Sequence, residues 1–315
     1  MNTLLLLTNE IQRAADLIKR GKLVAFPTET VYGLGASIFN AQAVELIFKV
    51  KGRPSDNPLI AHVHSLSQVE EIAVEIPQIF YRLAEKFFPG PLAIVLKKHP
   101  SVPLIASAGL DSIAVRMPSH PVALTLIELT GTPLVAPSAN LSGYPSSTTA
   151  EHVMEDFRGK IAAVIDGGSC QVGIESTVIS LLGPRPVLLR PGLITQEEIE
   201  EVLGMAIETA GSSHAGPLLS PGMRYRHYAP KTPLFVFVSE EALEQHIQLN
   251  PNNSHRMVLS AKPLAADSCV LCAEQLYARL READRKSCDE ILIYCDAEVV
   301  QNTALMNRIT KAATR

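Results

Sequence analysis

Lysine and arginine stand two residues apart in Lys51-Gly52-Arg53, just ahead of the stiff segment Pro54-Ser55-Asp56-Asn57-Pro58. A guanidinium offers a planar fork of donors and an ammonium a mobile point charge, so the two can grip one polyphosphate. Pro54 and Pro58 restrict the backbone and partly preorganise both cations. Lys-Gly-Arg is also an ordinary solvated turn, and the residues alone leave both readings open. A second cluster, residues 27–35 (Pro-Thr-Glu-Thr-Val-Tyr-Gly-Leu-Gly), follows the apolar run Leu23-Val24-Ala25-Phe26. Its glycines and hydroxyls let backbone N–H groups approach an anion, or else make a plain strand-to-helix loop.

Pro137-Ser138-Ala139-Asn140-Leu141-Ser142-Gly143 follows apolar Leu134-Val135-Ala136. Short polar side chains at a strand end suit ligand binding in α/β folds, and equally suit turn capping. Arg116 and Arg190 each close an apolar strand. A charge there is costly to bury, so a protein carboxylate or an anionic ligand must compensate it. Ser176, in Glu175-Ser176-Thr177, opens another strand with a hydroxyl. His62 lies inside an apolar strand, either as a structural histidine or facing an amine or carboxylate.

The elements that must position these groups follow from periodicity. Apolar spacing predicts helices over 11–19, 41–50, 79–88, 273–286 and 300–312. Strands are predicted over 23–26, 59–63, 93–96, 112–116, 133–136, 162–166, 176–180, 187–189, 234–238, 256–260 and 290–294. No regular βαβ rhythm runs through the first two thirds, which points to a large mixed sheet with helices. Composition shifts near residue 207. We therefore divide the chain into a catalytic domain (1–207), a linker (208–232) and a small α/β domain (233–315). The linker carries Ser220-Pro221-Gly222-Met223-Arg224-Tyr225-Arg226-His227-Tyr228-Ala229-Pro230, too rich in Arg, Tyr and His for a passive spacer.

Bulk properties narrow the chemistry. With 47% apolar and 19% charged residues over 315, the chain can bury a sizeable core. A net charge of −4 gives no global field for nucleic acid. Five cysteines, an odd count, suggest a reducing cytoplasm, and the apolar run Leu4 to Leu7 is too short for a signal or a membrane span. Walker, dinucleotide, nucleophile-elbow and zincin motifs are absent. Cys269-Val270-Leu271-Cys272 lacks a second pair at zinc-ribbon spacing, and Cys288 and Cys295 match poorly. There is no Trp, so a stacking platform for single strands is not expected.

Taken in order, residues 27–35, Lys51-Gly52-Arg53, Arg116-Met117-Pro118 and Ser138-Ala139-Asn140 resemble the K-x-R…S-x-N signature of the YrdC-like family. Glu175-Ser176-Thr177-Val178 and Leu189-Arg190-Pro191-Gly192 extend the likeness. The Arg- and Tyr-rich linker resembles that of the family's long form, the threonylcarbamoyl-AMP synthases. The resemblance implies an open, mixed, twisted α/β sheet with a concave cavity. It also implies a small C-terminal Rossmann-like domain, with the linker over the cavity. The activity it implies joins L-threonine, ATP and bicarbonate or CO2 into threonylcarbamoyl-adenylate and pyrophosphate. That product would pass to a separate transferase that modifies tRNA adenosine 37.

Site roles follow from the same resemblance. Lys51 and Arg53 are the catalytic cations on the phosphates, with Mg2+ arriving on ATP rather than on protein ligands. Asn57, Ser112, Ser138, Asn140, Ser146, Arg190 and Tyr228 are expected on the nucleotide. Thr30, Tyr32, His62, Arg116, Ser138 and Ser176 are expected on threonine, with Arg116 on its carboxylate. Arg224, Arg226, His227 and Tyr228 are expected to form a lid. Beside a scaffold whose domains only bind partners, two other readings compete. One is a double-stranded RNA-binding module without catalysis. The other is a hydrogenase-maturation carbamoyltransferase, whose acylphosphatase and zinc-finger segments find no room here.

Overall fold

The computed structural model describes residues 2–210, 227–264 and 268–313. The chain divides into two compact units, Met1–Ser142 with Ser147–Arg224, and Gly143–Ser146 with Tyr225–Arg315. In the first unit β1 (Leu4–Leu6) leads to α1 (Ile11–Lys19), β2 (Val24–Phe26), β3 (Gly33–Ser37), α2 (Ala41–Lys51), β4 (Ile60–His62), α3 (Leu66–Ile72) and β5 (Ala73–Val74). Then come α4 (Gln78–Phe87), β6 (Leu92–Lys98), β7 (Ser112–Arg116), α5 (Pro121–Thr130), β8 (Leu134–Val135), α6 (Ala150–Phe157) and β9 (Ala163–Ile165). β10 (Thr177–Ser180), β11 (Val187–Arg190), α7 (Gln196–Leu203) and β12 (Glu208–Thr209) complete it.

Among the described residues these strands form one twelve-stranded sheet, in the order β1-β9-β2-β3-β8-β4-β7-β6-β10-β11-β12, with β5 alongside β6. Pairing is mixed, as the irregular rhythm of the sequence requires: β4 runs parallel to β7, β6 antiparallel to β7, and β6 parallel to β10. β12 carries the sheet on to Thr209, past the boundary expected at 207.

Side chains alternate across a strand, and the two faces differ. One face holds Ala61, Ile94, Val115, Val135 and Ile179 in the main core, which also takes in Val44, Ile47, Phe80 and Leu83 of α2 and α4. On the other face the β1-to-β8 half packs Val24, Phe26, Leu134 and Ile165 with Ala14, Ala15 and Ile18 of α1 and Val122, Leu126 and Ile127 of α5. The β4-to-β10 half of that face carries a small cluster, Ile60, Ala93, Val95, Ala114 and Val178. Alternation puts His62 beside Ile60, and Ser112 and Arg116 on either side of Ala114, on this same face.

Local sequence explains how α2 delivers its cations. Asn40 caps its N-terminus by accepting from Ala43 N at 3.0 Å, and Gly52 ends it in the left-handed region at φ +61. Lys51 is thus the last helical residue and Arg53 the first beyond the turn. Residues 27–35 are not a strand-to-helix loop. The turn closes at Tyr32, and β3 returns antiparallel to β2. Gly35 is demanded by close approach, since a Cβ there would lie 2.7 Å from Phe26 Cε1.

The second unit contains β13 (Leu234–Phe237), α8 (Glu240–Leu249), β14 (Arg256–Ser260), β15 (Cys269–Val270), α9 (Ala273–Arg285), β16 (Glu290–Tyr294), α10 (Ala297–Gln301) and α11 (Thr303–Ala313). Its strands are all parallel, in the order β13-β16-β14-β15. The helix expected over 300–312 is two helices, broken at Asn302. Gly143–Ser146 is held in this unit: Arg281 donates Nε and Nη2 to Pro145 O at 3.1 and 2.8 Å, and Ala229 N donates to Gly143 O at 2.8 Å. Among the described residues no helix is long and apolar enough to cross a membrane.

Candidate active site

Lys51 joins the two short motifs that lie far apart in sequence. Its Nζ donates to Ser138 O at 2.6 Å and Asn140 O at 2.5 Å, and Ser142 N donates back to Lys51 O at 2.9 Å. The 137–139 stretch runs beside 32–34, with Leu34 N donating to Pro137 O at 2.8 Å and Ala139 N to Tyr32 O at 2.7 Å. Arg53 is wrapped by its own loop, Nε donating to Asn57 O at 3.2 Å and Nη2 to Pro58 O at 3.0 Å. Asn57 is buried, and its Oδ1 meets no donor among the described residues. A buried acceptor left open is costly, so a ligand N–H would complete it.

A second group lines the other end of the same strands. His62 and Arg116 are direct partners on β4 and β7. Arg116 Nη2 lies 2.6 Å from Glu29 Oε1, Nη1 donates to Thr30 Oγ1 at 2.8 Å, and Nε to Gly90 O at 3.3 Å. Arg190 donates Nε to Ser176 O at 3.0 Å and Nη2 to Ser176 Oγ at 3.2 Å. The two arginines are bridged by neighbouring strand ends, because Thr177 N donates to Pro91 O at 3.0 Å and Gly90 N to Met117 O at 2.7 Å.

Register separates the two groups. Ile60 pairs with Ala114, and Ala136 N donates to Ile60 O at 3.1 Å. Ser138 and Ser112 therefore lie two residues beyond that row, level with Pro58, while His62 and Arg116 lie two residues on the opposite side. Four residues of strand span about 13 Å. The turn from Pro27 to Tyr32 connects the ends: Thr30 reaches Arg116 and Tyr32 borders Ser138.

Protonation follows from burial. The His62 ring is buried beside the Arg116 cation, and together these push its pKa down to about 3. The ring is neutral, its Nδ1 faces Ile60 O at 3.2 Å, and donation there leaves Nε2 as an acceptor. Burial raises Glu29, but the Arg116 charge and hydrogen bond outweigh it and hold the carboxyl below its usual range. Tyr32 is raised, chiefly by burial. Its hydroxyl donates to Gly168 O at 2.8 Å and accepts from Gly167 N at 3.2 Å, so Tyr32 borders the site through its main chain.

Not every expected residue falls in these groups. Ser112, in the Ser138 row by register, also lines a surface cleft of about 520 Å³ with Leu96, Lys97 and Leu181. Ser146, His227 and Tyr228 belong to the second unit. There Tyr228 has φ +65, stacks on Tyr277 at 5.3 Å and lies under the Arg308 guanidinium at 5.9 Å. Arg224 and Arg226 lie outside the described residues. Glu29 was missed by sequence reasoning, though a carboxylate between two threonines ahead of a strand-end arginine was there to be noticed.

Residues 16–192 match the Sua5/YciO/YrdC family, described as telomere recombination, and residues 194–314 match the threonylcarbamoyl-AMP synthase C-terminal domain. The threonylcarbamoyl-AMP synthase of Pyrococcus abyssi is 46% identical over 96% of this chain and 94% of its own. The chain belongs to the threonylcarbamoyl-AMP synthase family. The Bacillus subtilis synthase is 43% identical, over 96% of this chain and 93% of its own. The crystal structure of P. abyssi Sua5 complexed with L-threonine superposes with a TM-score of 0.91 at 43% identity, covering 99% of this chain and 98% of that one. Escherichia coli YciO shares the fold of the first unit, with a TM-score of 0.55 at 24% identity over 61% of this chain and 97% of that one.

Proposed function

We propose that this chain makes L-threonylcarbamoyl-adenylate and pyrophosphate from L-threonine, ATP and bicarbonate or CO2, as a nucleotidyltransferase. One observation carries the reading. A cluster around Lys51 and Arg53 and a cluster around Arg116 stand at opposite ends of β4 and its neighbours, in a chain 46% identical to a synthase of that name. The spacing suits two substrates that must meet between the ends.

At the Arg116 end the carboxylate of threonine meets the guanidinium, while Thr30, neutral His62 and Ser176 offer hydroxyls and a ring acceptor. At the Lys51 end Arg53, Asn57, Ser138 and Asn140 hold nucleotide and phosphate oxygens, and Arg190, which its bonds to Ser176 place at the Arg116 end, adds a cation from that side. Threonine's amine takes up CO2. The carbamate oxygen then attacks the α-phosphorus in line, and pyrophosphate leaves. The work of the protein is positioning and charge stabilisation of the oxygens that gain charge. Among the described residues no three His, Cys, Asp or Glu side chains gather as a metal site. In this reading Mg2+ comes in on the phosphates of ATP. The product serves a tRNA threonylcarbamoyl transferase in the cytoplasm. The RNA-binding alternative is not favoured, since relatives spanning the whole chain bear an enzyme's name.

The test is incubation of the pure protein with ATP, bicarbonate and Mg2+, with and without L-threonine, measuring pyrophosphate. Release that depends on threonine is expected. Release that ignores threonine overturns the proposal.

A further inference from the structure

Glu29 has no part in the roles assigned above, yet its position is unusual. It sits between Thr28 and Thr30 in the β2–β3 turn, only 6% exposed. Its Oε1 lies 2.6 Å from Arg116 Nη2. Besides Arg116, its carboxylate meets only main-chain groups among the described residues, of Glu29 itself and of Ser119. A buried carboxylate has about four acceptor sites to satisfy, and buried polar atoms in native proteins are nearly always satisfied. Arginine–carboxylate pairs are frequently two-pronged, with two parallel N–H···O bonds. Here Arg116 turns Nε to Gly90 O and Nη1 to Thr30 Oγ1, and meets Glu29 through Nη2 alone. The result is a cation and an anion side by side, each with hydrogen-bonding capacity left over.

That pair is complementary to a zwitterion. An α-amino acid carries its carboxylate and its ammonium on one carbon, so a site that binds both needs opposite charges next to each other. His62 does not supply the anion, since it is neutral and aims Nδ1 at Ile60 O. Thr28 and Thr30 bond to each other at 2.9 Å and offer only neutral oxygens. Glu29 is the anion of this cluster.

We propose that Glu29 binds the α-ammonium of the amino-acid substrate, and that Glu29 with Arg116 forms a subsite selective for zwitterions. This rests on the synthase reading above. Glu29 holds the substrate nitrogen and so fixes which face it presents: the ammonium gives one proton to solvent, the lone pair of the neutral amine forms the N–C bond to CO2, and a second N–H proton leaves to solvent to give the carbamate. Selectivity follows as well. A 2-hydroxy acid offers Arg116 the same carboxylate but leaves Glu29 without a cation.

The experiment compares binding of L-threonine and of (2S,3R)-2,3-dihydroxybutyrate, which has OH in place of NH3+, by calorimetry. Wild type is expected to prefer threonine by tenfold or more, as one charged hydrogen bond implies. Glu29→Gln is expected to bind threonine about ten- to a hundredfold more weakly, to bind ATP as wild type does, and to lose the preference. If Glu29→Gln weakens both ligands equally, Glu29 acts only through Arg116 and the proposal fails. The wild-type comparison needs no variant, and a preference below twofold overturns the proposal by itself. Threonine-dependent pyrophosphate release by wild type stays a separate readout. Its presence alongside either negative result sinks the Glu29 subsite and leaves the synthase reading standing.

Discussion

Lowering the pH from 7 to 5 should destabilise the first unit through His62, by an amount the structure sets. The ring titrates near 6.5 when exposed, and burial beside Arg116 pushes it down to about 3 in the fold. A folded pKa below the unfolded one means that the unfolded chain binds the extra proton. The stabilisation is therefore complete above about pH 7 and is lost as the pH falls toward 3. At pH 7 about a quarter of unfolded His62 is protonated, and at pH 5 nearly all of it, while the folded ring stays neutral at both. The difference amounts to about 2 kcal/mol. β4 is paired on both sides, to β7 and β8, so the ring gains water only when the sheet opens. The assay is urea unfolding of wild type and His62→Gln at both pH values, followed by far-ultraviolet circular dichroism. Groups common to both proteins cancel in the comparison. Wild type should lose about 2 kcal/mol more than the variant between pH 7 and 5. Equal losses would refute a neutral, buried His62.

Three further outcomes follow from the geometry. Lys51→Met removes both N–H donors from the Ser138 and Asn140 carbonyls; urea unfolding should show a loss of about 2–4 kcal/mol, with slower pyrophosphate release. Asn57→Leu removes a buried acceptor that has no donor among the described residues. Unfolding free energy should change by less than about 1 kcal/mol, while the KM for ATP rises tenfold or more. Gly52→Ala meets no atom within 4 Å but must hold φ +61. The left-handed residue costs about 1 kcal/mol, and Tm in a calorimetric scan should fall by about 2–4 °C.

The sequence was most readable where patterns were long and flanked by breakers. The strands at 112–116, 256–260 and 290–294 and the helix at 11–19 have the bounds that periodicity implied. Elements with no amphipathic contrast were missed. α5 reads Pro-Val-Ala-Leu-Thr-Leu-Ile-Glu-Leu-Thr; it buries one stripe, Val122, Ala123, Leu126, Ile127 and Thr130, but half-buried Leu124 and Leu129 outside it leave no polar stripe to mark it. β3 was hidden by its own glycines, which are there to let Phe26 lie across the strand. In the site, residue types were legible and partners were not. Nothing local in Lys51-Gly52-Arg53 reveals that Lys51 reaches carbonyls 87 and 89 residues away. Register, a long-range property, decides that Ser138 and Arg116 face opposite ends of β4 and β7.

The way the cations are held differs between those ends, and the difference suits the charge of each substrate. Lys51 and Arg53 donate to backbone carbonyls, of Ser138 and Asn140 and of Asn57 and Pro58. A carbonyl dipole fixes a cation in place without itself carrying an opposing charge. Arg116 instead stands against the Glu29 carboxylate. That pair sums to near zero, which suits a zwitterion, and Arg190 beside it keeps a further cation at this end. The row between the ends is apolar, built from Ile60, Ala93, Val95, Ala114 and Val178, and adds no charge that would blur the contrast. The order of reaction partners along the face is thus written in how each cation is anchored, rather than in the number of cations present.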